Sequence, residues 1–284
     1  GTSHNQNSQS LVAWTWKAGG NSNTFNIDGV GYASAAAAGL DGGNISPVAA
    51  SVGTKQGFSI IQYQGNGSRD QSISHGLTQA PDFSIIKNVD GTANWTVFHR
   101  SVTTTNQKVF YLNSTAAVAD YSNGSYTWWH QLPGASLFYI GDTGTAINNG
   151  SNDMISYHWH DVPGLQKFGK FTGNSNANGV YVDLGFKPAI LLIKNDNSTG
   201  DWIIWDNKRN PSNPVNKQLW PYTTSGTYGA YEQVGSDYPL DFLSNGFKMR
   251  TTDADMNDSS RTYIYAAWAE TPSVNLYGGQ SNAR

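Results

Sequence analysis

A repeat constrains this chain more than any other feature. Ile86-Lys87-Asn88 returns as Ile193-Lys194-Asn195, Trp95 as Trp202 and Pro81 as Pro188, each 107 residues later. Just upstream, Tyr63-Gln64-Gly65-Asn66 matches Phe171-Thr172-Gly173-Asn174 at an offset of 108. Solenoid units run to about 20–50 residues, whereas this period has the size of a small domain. The chain therefore reads as two copies of one module. A partial third copy stands at the front. The first copy closes on Met154-Ile155-Ser156-Tyr157-His158-Trp159 and the second on Tyr263-Ile264-Tyr265-Ala266-Ala267-Trp268. Leu11-Val12-Ala13-Trp14-Thr15-Trp16 has the same form, with Trp16 in the place of Trp159 and Trp268. It looks like the last strand of a module whose body is missing, or a strand lent to a neighbour's sheet.

Strand-like runs at 58–63, 83–87, 94–99, 109–112, 136–140 and 154–159 are matched in the second copy by 167–171, 180–184, 189–194, 202–206, 246–250 and 263–269. They are separated by about 8–15 residues rich in Gly, Pro and Asn, the spacing of a sandwich or barrel. No amphipathic helix stands out; Ala35 to Ala38 can form one turn, but glycine on both sides opposes a stable helix. The expected fold is all-β: two tandem antiparallel β-sandwich-like modules with an N-terminal orphan strand and long loops. The divisions are an orphan strand and Gly/Ala-rich connection (1–56), copy one (57–164), copy two (165–272) and a C-terminal tail (273–284).

Composition narrows the function classes. Only 13% of the 284 residues are charged, against roughly 25% in an average domain. Uncharged polar groups must cover the surface, and Asn occurs 28 times. A net charge of −3 offers no basic field to a phosphate backbone, so nucleic acid is not an expected partner. Cysteine is absent, which removes disulfides, thiol catalysis and Cys-based zinc sites. No apolar run reaches the roughly 18 residues of a membrane span and no secretory leader opens the chain, so membrane insertion is not expected.

Reactive constellations are sparse. His158-x-His160 places two imidazoles on one strand face, but Thr15 and Lys17, or Ala267 and Ala269, stand at the matching positions, and no third ligand is evident. Asp253, Asp255 and Asp258 resemble a loose Ca²⁺ loop without the glycine and final glutamate of an EF-hand, and read better as a solvated acidic turn. Glutamate occurs twice, at 232 and 270, and nothing forces a carboxylate pair; Asp201 with Asp206 is one arrangement among several. No catalytic centre, metal or cofactor is expected. Aromatic residues in loops are the stronger signal. Tyr126, Trp128 and Trp129 lie between Gly124 and Pro133-Gly134, and Trp220, Tyr222, Tyr228 and Tyr231 lie in the matching region of copy two. Such rings stack on sugar faces while Asn, Asp and His satisfy hydroxyls. The alternative is that they fill a seam between modules or subunits. Trp95, Trp202, Trp159 and Trp268 recur within strand-like runs and read as core. The Pro/Asn-rich stretch from Arg209 to Asn216 has no counterpart in copy one and reads as a surface excursion.

A family resemblance covers nearly the whole chain. Gly57-Phe58-Ser59-Ile60-Ile61 with Tyr63 and Gly65-Asn66-Gly67, then Ser74-His75-Gly76-Leu77 and Ala80-Pro81-Asp82-Phe83, resembles modules of tail-fibre-like virion proteins from marine, cyanobacterial-type phages. Val162-Pro163-Gly164, Lys167-Phe168-Gly169, the stretch from Asp241 to Lys248, and Ser281-Asn282-Ala283-Arg284 are similar in the same way, as is the segment from Ala13 to Gly20. The resemblance implies the C-terminal region of a longer, extracellular protein assembled from repeated subunits, and it carries over no catalytic residue. Three functions follow. The first is a virion part that recognises cell-surface glycan through its aromatic loops. The second is a purely structural subunit that assembles with itself, as a trimer for instance, and with other virion subunits. The third, and weakest, is an enzyme that trims surface polysaccharide.

Overall fold

The computed structural model describes residues 12–103, 108–121, 128–129, 131–141, 146–221, 231–234 and 238–272, with backbone alone for 231–234. Their regular structure is all strand. First come β1 (Phe25–Ile27), β2 (Val30–Tyr32) and β3 (Ala49–Gly53). Copy one continues with β4 (Phe58–Gln64), β5 (Gln71–Ser74), β6 (Phe83–Asn88), β7 (Thr96–His99), β8 (Lys108–Tyr111), β9 (Ala119–Asp120), β10 (Leu137–Ile140) and β11 (Asp153–Trp159). Copy two holds β12 (Gln166–Thr172), β13 (Tyr181–Asp183), β14 (Pro188–Asn195), β15 (Ile203–Asp206), β16 (Lys217–Trp220), β17 (Tyr231–Val234), β18 (Leu240–Leu243), β19 (Gly246–Met249) and β20 (Thr262–Ala269).

Strand order repeats as the sequence does. One large sheet contains β4-β11-β6-β7-β8-β9 and the other runs β12-β20-β14-β15-β16-β17. A small sheet lies beside each, β10-β5 in copy one and β13-β19-β18 in copy two. In both copies the closing strand, β11 or β20, sits between two antiparallel neighbours.

The two large sheets also pack on one another, so the described chain has three cores. In β14, Leu191 and Ile193 face the small sheet of their own copy, while Leu192 and the half-buried Ile190 face the other large sheet. In β20, Tyr263, Tyr265 and Ala267 face one way, and Ile264, Ala266 and Trp268 the other. Burial on both faces is why these strands read as continuous apolar runs instead of alternating ones. The core between the copies joins Phe58, Phe83, Val97, Phe110 and Trp159 to Phe168, Leu192, Trp202, Ile264 and Trp268. Each such side chain contributes about 1.5–3 kcal/mol when fully buried.

Polar contacts fix the register of this seam. The Trp202 indole N–H donates to Tyr111 O at 2.9 Å, and His99 Nε2 donates to Tyr265 O at 3.1 Å. Lys194 is fully buried and donates to Thr115 O across the seam at 3.1 Å and to Gly200 O at 2.8 Å. Burial pulls its ammonium down to about 8 against the opposing pull of Asp201, Asp255 and Asp196. Gln166 Nε2 donates to carbonyls of Gln56, Gly57 and His160.

The repeated Gly-Asn has a structural reason. A Cβ on Gly65 would stand 2.2 Å from Asn149 O, and one on Gly173 would stand 2.3 Å from Asp258 O. Glycine lets the end of the strand approach the loop that precedes the closing strand. The asparagine that follows is held by a buried one across the gap. Asn66 N donates to Asn148 Oδ1 at 2.9 Å, and Asn174 N donates to Asn257 Oδ1 at 3.0 Å. Asn257 Nδ2 also reaches Thr251 O at 2.7 Å, Asn176 O at 2.9 Å and Asn174 Oδ1 at 2.9 Å. Asn257→Ala removes the buried partner of Thr251 O and of the 174–176 turn and lowers unfolding free energy by about 3 kcal/mol. Asn176→Ala, which loses only an exposed cap to Asn178 N, costs under ~1 kcal/mol. Urea unfolding of the two variants checks the contrast, and equal losses would refute the staple.

Two features at the front of the chain add to the expected divisions. The 17–56 connection is partly sheet: β3 pairs antiparallel with β4, β1 runs parallel to β3, and β2 closes the edge. Its Ala, Ser and Gly content hid these strands, because the edge of β4 supplies main-chain bonds that side-chain propensity does not encode. The orphan strand is not paired. From 12 to 18 burial alternates, with Val12, Trp14, Trp16 and Ala18 partly buried, yet among the described residues this stretch has no ladder and no main-chain hydrogen bond to the body. The Ala35–Ala38 run makes a single turn, with Ala38 N donating to Ser34 O and Leu40 N to Ala35 O.

On the second large sheet, the outer edge of β12 is blunted where β4 is covered. Phe168 N donates to the Asp161 carboxylate at 2.8 Å, Val162 bridges Gln166, and Lys170 is exposed. Charged side chains and irregular pairing are common defences of a free edge.

Candidate functional site

The two large sheets meet tightly in some places and part in others. Phe83 and Phe168 stack with centroids 5.6 Å apart, and Trp159 meets Trp268 edge-on at 6.1 Å. Trp16 completes a triangle, 6.3 Å from Trp159 and 5.3 Å from Trp268. The front segment thus brings its tryptophan to the two closing-strand tryptophans that it matches in sequence.

Beside this triangle lies a cleft of about 370 Å³ between the sheets. One wall carries Phe58, Ile60, Phe83, Ile85 and Tyr157; the other carries Ile190, Leu192, Ile204 and Trp268. Trp14, Trp16, Trp95, Leu112, Trp159 and Pro221 complete the lining. Five of the chain's ten tryptophans therefore border one cleft, and no charged side chain lines it among the described residues. The indole N–H groups of Trp14, Trp159 and Trp268 are buried without an acceptor among the described residues.

Trp95 is the exposed ring of the cleft, and its expected core position is corrected here. It precedes β7, as its repeat partner Trp202 precedes β15, yet Trp95 is 38% exposed and Trp202 only 1%. Trp202 crosses the seam to Phe110, with centroids 5.8 Å apart, and to Tyr111 O. Trp95 lines the open cleft with Ile204 and Pro221 instead. Two asparagines flank it: Trp95 N donates to Asn113 Oδ1 at 3.0 Å, and Asn113 Nδ2 donates to Asn94 Oδ1 at 2.9 Å. Repeat arithmetic equates the two tryptophans and cannot tell which one faces open space. The polar flank of Asn94 and Asn113 was the available signal.

The aromatic-loop residues fare differently from expectation. Trp128 and Trp129 are buried, at 7% and 2% exposure. Trp129 meets Phe98 edge-on at 5.4 Å and donates to Lys108 O at 2.9 Å; Trp128 packs on Tyr111 at 5.7 Å and Tyr121 at 5.8 Å. Among the described residues the small sheet of copy one has two strands, and these loop rings help cover the outer apolar face of β7 and β8. They are core, not surface. Trp220 is half-buried and packs on Tyr238 at 6.2 Å. Tyr231 begins β17 opposite Trp220, with its side chain outside the described residues. Tyr126, Tyr222 and Tyr228 lie outside the described residues, as does the 273–284 tail.

Polar candidates turn inward. His158 is fully buried between two hydroxyls. Since Ser156 Oγ donates to Ile61 O, His158 Nε2 donates to Ser156 Oγ and its Nδ1 accepts from Ser84 Oγ. His160 Nδ1 lies 2.7 Å from Asp161 O. Among the described residues, no three His, Asp or Glu side chains are grouped to hold a metal. Asp253 caps Asp255 N and Asp258 caps Ser260 N, as acidic turns do. Asp206 is ion-paired with Arg209 at 2.5 Å. The 209–216 stretch is exposed at 211–214 but anchored, with Asn213 exchanging two hydrogen bonds with the Phe242 backbone.

A family model described as a domain of unknown function, DUF7483, matches residues 1–272. No curated protein and no solved structure matches the chain.

Proposed function

We propose a virion role for this chain, which belongs to the DUF7483 family: a structural part of a phage tail fibre that also touches carbohydrate on the host surface. The observation that carries the glycan contact is Trp95, exposed at a tryptophan-lined cleft and flanked by Asn94 and Asn113. An indole face offers an apolar platform to a sugar ring, and amide groups beside it satisfy hydroxyls. One such contact is weak; repeated copies on a fibre raise it by avidity. The extracellular setting and the fibre come from the sequence resemblance, and the rigid two-copy body is compatible with both. This reading moves the contact from the loop residues Trp128 and Trp129 to the seam.

Trp95→Ala lowers binding to a host-surface polysaccharide on a glycan array by about tenfold or more, or ~1.4 kcal/mol per site. The fold is unaffected, because the ring is exposed. Unchanged binding by the variant sinks the assignment. A purely structural subunit is the second reading, favoured by the unpaired 12–18 segment, and binding to no glycan by either protein selects it.

A further inference from the structure

We propose that residues 12–18 form an exchangeable arm, and that the seam cleft of one copy accepts the arm of a second copy of this chain. Three observations carry it. The arm alternates as an extended chain does, with Val12, Trp14, Trp16 and Ala18 toward the body and Ala13, Thr15 and Lys17 exposed. Side chains alone hold it: Trp14 and Trp16 enter the cleft lining, and no main-chain hydrogen bond ties 12–18 to the body among the described residues. Its first firm anchor is Gly19, whose N–H donates to Ser51 Oγ at 3.0 Å.

The occupant is specified by the cleft itself. Its walls carry the closing-strand tryptophans Trp159 and Trp268, and the arm brings the matching Trp16. A charged or strongly polar partner finds no complementary side chain in that lining. An arm anchored at one end and held by apolar contacts makes the same contacts in its own cleft or in a neighbour's. Concentration then decides between them, with a short tether equivalent to roughly millimolar in the first case. Reciprocal exchange closes a two-fold dimer, and copies crowded around an appendage axis favour exchange over self-docking. The inference does not rest on the glycan contact at Trp95, since an exchanged arm leaves that face unchanged.

The test uses a fluorescent peptide of residues 11–19 and the full chain carrying Trp14→Ala and Trp16→Ala, which removes the arm's own anchors. The peptide is expected to bind this variant saturably and at least tenfold more tightly than it binds the natural chain, whose own arm already makes those contacts. Absent binding, or equal binding to both, overturns the proposal. If circular dichroism shows the double variant unfolded, light scattering of the natural chain decides. Its mass should rise from 30.8 kDa toward twice that value as concentration approaches about 1 mM. A monomer throughout the series overturns the exchange.

Discussion

Trp202→Ala lowers the unfolding free energy by about 3–5 kcal/mol, the range for deleting a large buried aromatic side chain, while Trp95→Ala changes it by under ~0.5 kcal/mol. These residues occupy one position of the repeat, and the prediction turns entirely on their surroundings. Trp202 is 1% exposed, packs against Phe110 and donates to Tyr111 O, so its removal opens a cavity between the copies and removes one of that carbonyl's hydrogen bonds. Trp95 already faces the open cleft. For a chain of this length, the first loss is on the order of a 10 °C fall in thermal midpoint. Urea titration of both variants measures the difference. Equal losses would mean that the seam is not a core.

Acid is expected to destabilise the fold well before ordinary carboxylates titrate. His75 and His99 are both held neutral, with Nε2 donating to Gly134 O or Tyr265 O and Nδ1 accepting from Leu77 N or Ser101 N. Burial lowers each from 6.5 to about 4. His158, between its two serines, is also lowered by burial and by the neighbouring His75. Between pH 6.5 and 4 the unfolded chain binds protons at these sites and the folded chain does not. Their stabilisation is therefore complete above pH 6.5 and is lost as pH falls toward 4, by about 3 kcal/mol for each of His75 and His99. Asp161 works in the opposite sense. Burial raises it from 3.8 to about 6, so the folded state takes up its proton first and gains stability as pH drops through that window. Burial raises Asp201 and Asp255 as well, so these carboxyls offset part of the loss, and the three buried histidines set its direction. Urea midpoints at pH 7.5, 5.5 and 4.5 test this, and a flat series rejects it. His99→Gln should flatten the dependence, since glutamine keeps a donor for Tyr265 O without a titrating ring.

The repeat had more to say than inspection of each strand alone drew from it. A strand at 180–184 was legible, and its counterpart β5 was not, because Gln71-Ser72-Ile73-Ser74 has little apolar weight of its own. β8 was legible and its counterpart β16 was missed. Aligning one copy on the other recovers both. β1 to β3 have no counterpart in copy two and no strong propensity, so neither route finds them. Trp128 and Trp129 were misread for a different reason: a ring in a loop is free only when the sheet beneath it is already covered. Among the described residues copy one's second sheet has two strands, and Trp128 and Trp129 cover apolar surface that it leaves.

The sequence by itself determined the all-β class, the two-copy plan, and the closing tryptophans at 16, 159 and 268. Those properties are written in short-range patterns and in a period, which local chemistry and arithmetic can read. Only the tertiary structure decided that the copies pack through their large sheets, that Trp202 closes the seam where Trp95 leaves it open, and that residues 12–18 join no ladder among the described residues. Each depends on which apolar face meets which across about a hundred residues of chain. Two copies of one pattern cannot encode how they sit on each other, because that choice depends on complementarity between faces and not on the identity of any one residue.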